Sequence, residues 1–127
     1  MPILSLDYGE KRVGVAVSDP ENRVAFKRET IAYRSQEELI KKLERICREE
    51  KIEKIVIGLP ISLSGKDSDQ TKTVRDFAKY VKIKLNKDVV LEDERLTSKE
   101  AARNGVKDLD SESARLILQS YLDKKFR

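Results

Sequence analysis

Carboxylates are the residues of this 127-residue chain best able to do chemistry, because the chain contains no histidine and one cysteine, Cys47. That composition removes the commonest general base, the Ser-His and Cys-His nucleophile pairs and every imidazole metal ligand. It also rules out an internal disulfide or a multi-cysteine zinc site. Catalysis must come from carboxylates, lysines or a hard metal. Mg²⁺ and Mn²⁺ take oxygen ligands, and two such ions about 4 Å apart can hydrolyse a phosphodiester. The candidates for that set are Asp7 at the end of the first apolar run, Asp93 or Glu94 after Val89-Val90-Leu91, and Asp110 at the start of the last helix.

Each candidate also has an ordinary use. Asp7 could begin a turn before Gly9, although a carboxylate ending a buried strand carries a desolvation cost that turn chemistry elsewhere avoids, which points to function. Asp93 and Glu94 could pair with Arg95 on the surface, and Asp110 is a natural helix N-cap. Lys11 and Arg12, beside Asp7, and Lys66 could contact phosphates or simply be solvated. Tyr8 could stack on a base or pack against the sheet. Gly9 and Gly14 could admit a phosphate to the backbone, but neither a Walker pattern nor a strand-to-helix glycine fingerprint accompanies them.

The elements that must position these side chains follow from periodicity. Ile3 to Asp7, Val13 to Val17 and Val24 to Ile31 read as three short strands, joined by turns at Gly9 and at Asp19-Pro20-Glu21-Asn22, hence an antiparallel meander. Ser35 with Glu38 forms a capping-box pattern, and Leu39, Ile40, Leu43, Ile46 and Cys47 share one face of a helix near 36–50. Ile55 to Leu59 is a buried-strand run ended by Pro60, and Ser62 to Asp69 is a loop. Val74, Phe77, Ala78, Val81 and Leu85 mark a second helix, ended at Asn86-Lys87 before the strand Val89-Val90-Leu91. Thr97 and Glu100 open a short helix stopped by Gly105, and Ala114, Ile117, Leu118, Tyr121 and Leu122 face one way on the last. Strands alternating with helices require crossovers, so the sheet is expected to be mixed, five-stranded and flanked by helices, in a single domain spanning 1–127.

Charged residues make up 39% of the chain, but 27 basic against 23 acidic side chains leave a net charge of only +4. Such an excess is compatible with a polyanion partner, but a charge-rich surface more often reflects solubility or heat adaptation. No apolar run approaches the ~18 residues that span a bilayer, and the N-terminus lacks the pattern of a signal peptide, so a cytoplasmic protein without membrane contact is expected.

Four segments, in order, resemble the signatures of the YqgF/RuvX family. They are Asp7-Tyr8-Gly9-Glu10-Lys11-Arg12-Val13-Gly14-Val15-Ala16-Val17-Ser18-Asp19, Ile57-Gly58-Leu59-Pro60 with Gly65, Asp93-Glu94-Arg95-Leu96-Thr97, and Asp110-Ser111 running into Ile117-Leu118-Gln119-Ser120-Tyr121-Leu122. The resemblance implies an RNase H-like α/β fold and a cytoplasmic nuclease that uses Mg²⁺ or Mn²⁺ to trim the 5′ end of pre-16S ribosomal RNA. The alternatives it leaves are a resolvase of four-way DNA junctions and a non-catalytic RNA-binding assembly factor. The implied catalytic set is Asp7, Glu94 and Asp110, Glu94 being preferred to Asp93 for its longer reach, and all four carboxylates are metal-ligand candidates. Lys11, Arg12, Lys66, Arg95 and Lys107 are the candidate contacts to structured RNA or branched DNA, and the expected state is a monomer or weak homodimer. Family members usually carry a longer segment with a lysine pair before the last aspartate; here Asn104 to Leu109 holds Lys107 alone.

Overall fold

Period-2 burial along the first residues builds the sheet: Leu4 and Leu6 face one side of it, Ile3 and Ser5 the other, and all four are buried. The computed structural model describes residues 1–60, 68–93 and 109–126. Its strands are β1 (Ile3–Tyr8), β2 (Arg12–Ser18), β3 (Ala25–Lys27), β4 (Ile31–Ala32), β5 (Lys54–Leu59) and β6 (Asp88–Asp93); its helices are α1 (Gln36–Glu49), α2 (Asp69–Leu85) and α3 (Leu109–Phe126). The sheet runs β3-β2-β1-β5-β6 with β4 also on β2, antiparallel from β1 through β2 to β3 and β4, and parallel from β1 through β5 to β6. The mixed RNase H-like sheet is therefore as expected, and β1 is its central strand.

The sheet has six strands rather than five, because the expected strand from Val24 to Ile31 is broken. Ala16 pairs with Lys27 but Val13 pairs with Ile31, so residues 28–30 oppose residues 14 and 15. One extra residue makes a β-bulge, which bends the strand and interrupts its ladder. At the bulge the Arg28 amide donates to the Val15 carbonyl at 2.8 Å. The buried Val15 amide is satisfied by Ser111 Oγ at 3.1 Å, which in turn bonds Thr30 Oγ1 at 2.7 Å. The bulge thus opens the edge of β2 to the start of α3.

Two apolar layers close on the sheet. Leu39 and Leu43 of α1 with Val74, Phe77 and Val81 of α2 cover Leu4, Leu6, Val15, Ile55 and Ile57. On the other side Ala114, Ile117, Leu118, Tyr121 and Leu122 of α3 cover Ile3, Ala16 and Val56. The helix ends follow the sequence in part. Ser35 Oγ accepts from the Glu38 amide at 3.1 Å, while the Glu38 carboxylate pairs with Lys42 at 3.1 Å instead of closing the box. Ser68 and Thr71 make a reciprocal capping box on α2, and Asn86 ends that helix in the left-handed region at φ 53°. Cys47 is in the core, where burial pushes its thiol above the ordinary range. No helix among the described residues is long and apolar enough to cross a membrane.

Candidate active site

Asp7 is the penultimate residue of β1, and strand alternation puts it on the face that carries Ile3 and Ser5. That face looks at α3: the Ser5 hydroxyl donates to the Ala114 carbonyl at 2.9 Å. Across the ladder Asp7 pairs with Gly14. A Cβ on Gly14 would stand 1.9 Å from the Asp110 carbonyl oxygen and 2.8 Å from the Ser111 nitrogen. Only glycine admits so close an approach, and this approach brings the first turn of α3 to the side of Asp7. Gly14 is thus a packing residue within β2, not part of a phosphate-binding turn.

Asp110 belongs to the first helical turn of α3, which begins at Leu109. It is therefore not the N-cap that its local sequence suggested; a carboxylate in that turn still complements the positive end of the helix dipole. Asp110 Oδ2 accepts from Arg12 Nε at 3.0 Å. Arg12 lies two residues before Gly14 on the same face of β2, so Asp7, Gly14, Arg12 and Asp110 make one corner.

Asp93 does not join them. It ends β6 opposite Leu59. Along β6, Val90 and Glu92 face α3, whereas Val89 and Leu91 pack with α1 and α2. Alternation turns Asp93 to the second of these faces, away from Asp7. Glu94, Lys66, Arg95 and Lys107, with the short helix opened by Thr97, lie outside the described residues. Lys11 is exposed in the turn between β1 and β2, where its carbonyl accepts from the Tyr33 amide at 3.2 Å.

Tyr8 packs rather than offering a free face: its ring stacks on Phe77 with centroids 3.8 Å apart and lies 6.4 Å from Tyr33. The Tyr33 hydroxyl donates to the Gly9 carbonyl, and burial, with Tyr8 beside it, pushes that phenol well above its ordinary range. The aromatic set holds the turn that follows Asp7.

Glu92 is the buried acid that sequence reasoning passed over. It accepts from Lys124 Nζ at 2.7 Å and Ser120 Oγ at 3.1 Å, fastening the far half of α3 to the sheet. Extending the strand from Val89 through Asp93 would have placed it, since period 2 puts it with Val90. In the first half of α3, Glu112 is held by Arg115 through bonds of 2.6 and 2.8 Å, which keep its carboxyl below the usual range.

Asp7 and Asp110 supply oxygen donors of the kind hard cations take. Among the described residues no three histidine, cysteine or carboxylate side chains form a group able to hold a metal ion. The corner is thus two carboxylates and a guanidinium on one face of the central strands.

A family model described as RuvX, Holliday junction resolvase, matches residues 1–124. A relative from Maridesulfovibrio salexigens is 39% identical, covering 96% of this chain and 98% of its own, and carries the provisional name pre-16S rRNA nuclease. A relative from Clostridium tetani with the same provisional name is 37% identical over 99% of both chains. Among solved structures, Thermus thermophilus RuvC in complex with a Holliday junction substrate has a TM-score of 0.67 at 10% identity, covering 98% of this chain and 96% of that one. Fowlpox virus resolvase with Holliday junction DNA has a TM-score of 0.59 at 11% identity over the whole of both chains.

Proposed function

The chain belongs to the RuvX family, and we propose that it is a metal-dependent endonuclease that trims the 5′ end of pre-16S ribosomal RNA. The observation that supports this reading is the approach of the Asp110 backbone to Gly14, the ladder partner of Asp7 at the end of the central strand. The provisional name shared by full-length relatives supports the substrate.

In this reading Asp7, Glu94 and Asp110 hold Mg²⁺ or Mn²⁺. Glu94 is favoured over Asp93 for its longer reach, and because the pleat of β6 turns Asp93 away from the face of Asp7. Bound there, the cation would supply water activation and neutralise charge on the phosphate. Asp7 and Asp110 would hold that ion from a strand and a helix that are packed together by the core. Lys11, Arg12, Lys66, Arg95 and Lys107 contact the flanking phosphates, which sets orientation rather than sequence preference. Attack by water in line with the leaving oxygen would leave a 5′-phosphate and a 3′-hydroxyl.

The test is incubation of the purified protein with a pre-16S RNA fragment and Mg²⁺. Cleavage should fall by at least about a hundredfold in Asp7→Asn and vanish in excess chelator. Cleavage that persists in either case overturns the mechanism. Absence of cleavage by the wild type, with full RNA binding and full cellular function in Asp7→Asn, would instead make the protein a non-catalytic assembly factor.

The description of the family model favours a second reading, resolution of four-way DNA junctions. That reaction needs two active sites on opposing strands and hence a dimer. A protein that stays monomeric at working concentration and cuts RNA in preference to junctions would exclude it.

A further inference from the structure

We propose that Arg12 exchanges between two anions, Asp110 when no divalent ion is bound and a nucleic-acid phosphate when one is, so that metal and nucleic acid bind with positive cooperativity. The inference rests on the reading of Asp7 and Asp110 as metal ligands and adds a role for the cation beside them.

The geometry is specific. Arg12 Nε meets Asp110 Oδ2 at 3.0 Å, with the two side chains 68% and 36% exposed. The guanidinium therefore engages an oxygen that a cation would need, and it does so from the solvent side. An exposed pair of this kind is weak, so it can be broken without disturbing the fold. Arg12 has no other partner among the described residues. Once a divalent ion took up the charge of Asp110, the guanidinium would lose its anion and be repelled by the ion's charge. What remains is an unpaired fork of N–H donors at the rim of the site, and such a fork matches the oxygens of a phosphate. The phosphate in turn draws Arg12 off Asp110 and vacates the ligand. Because coupling is reciprocal, each partner must then tighten the binding of the other by the same factor.

The experiment measures Mn²⁺ affinity calorimetrically on the full chain, with and without a cleavage-resistant 2′-O-methyl phosphorothioate oligoribonucleotide. Without RNA, Arg12→Ala and Arg12→Gln should bind Mn²⁺ on the order of tenfold more tightly than the wild type, since each removes a competing positive charge. Arg12→Lys keeps the charge and should stay within about threefold of the wild type. Saturating RNA should tighten Mn²⁺ binding to the wild type, and the two neutral variants should lose most of that gain. The use of two neutral variants keeps the test open if one fails to fold. Mn²⁺ binding that depends on Asp110 but is no tighter in the neutral variants overturns the role of Arg12 alone. Wild-type protein that binds no Mn²⁺, or binds it equally well after Asp110→Asn, overturns the metal reading and this inference with it.

Discussion

Asp7 stands out in the sequence because a carboxylate at the end of an apolar strand carries a desolvation cost that invites explanation. The choice between Asp93 and Glu94 was not legible, since it depends on where the pleat of β6 begins. With Asp93 turned toward the α1 and α2 side, the account predicts that Glu94→Gln lowers RNA cleavage at least about a hundredfold, whereas Asp93→Asn stays within about threefold of wild type. Equal losses in both variants would contradict that assignment. Glu92 gives a further contrast, because its bonds to Lys124 and Ser120 commit it to packing. Glu92→Gln should retain cleavage activity while losing about 1–2 kcal/mol of stability, measured by urea unfolding.

Helices α1, α2 and α3 and the parallel strands are readable from local period, because that signal lies within the element it marks. What escaped was anything set by contact between distant parts of the chain. The strand expected from Val24 to Ile31 is divided by the bulge at residues 28–30, whose freed groups are met by Ser111, 96 residues from Val15 in the chain. The packing role of Gly14 is hidden in the sequence for the same reason: the helix start that requires it is remote in the chain. Gly14→Ala should force α3 off the sheet, since the new Cβ would meet backbone rather than a movable side chain. A loss of about 1–3 kcal/mol in thermal or urea unfolding is expected. Because the same shift displaces Asp110, cleavage should fall more than stability alone explains, and an unchanged rate would contradict the link between Gly14 and the site.

At the scale of the whole molecule, the absence of histidine and the ion-paired surface set the response to pH. Asp19 lies below the ordinary carboxylate range because the Val24, Arg23 and Glu21 amides donate to it, and Glu38 and Glu112 are lowered by Lys42 and Arg115. A carboxyl depressed in the folded state contributes stability that is present above its unfolded value and lost as pH falls through its folded value. The melting temperature should therefore hold nearly level from pH 6 to 8 and drop below about pH 4. A steep change near pH 6.5 would contradict this. The claim on which the rest depends is that the fold gathers Asp7, Glu94 and Asp110 around a cation, and a crystal structure with Mn²⁺ located by anomalous scattering tests it most directly. The account predicts an ion bound by oxygens of Asp7 and Asp110 at about 2.1 Å with Glu94 alongside. An ion bound elsewhere, or these carboxylates pointing apart with no ion between them, would contradict it.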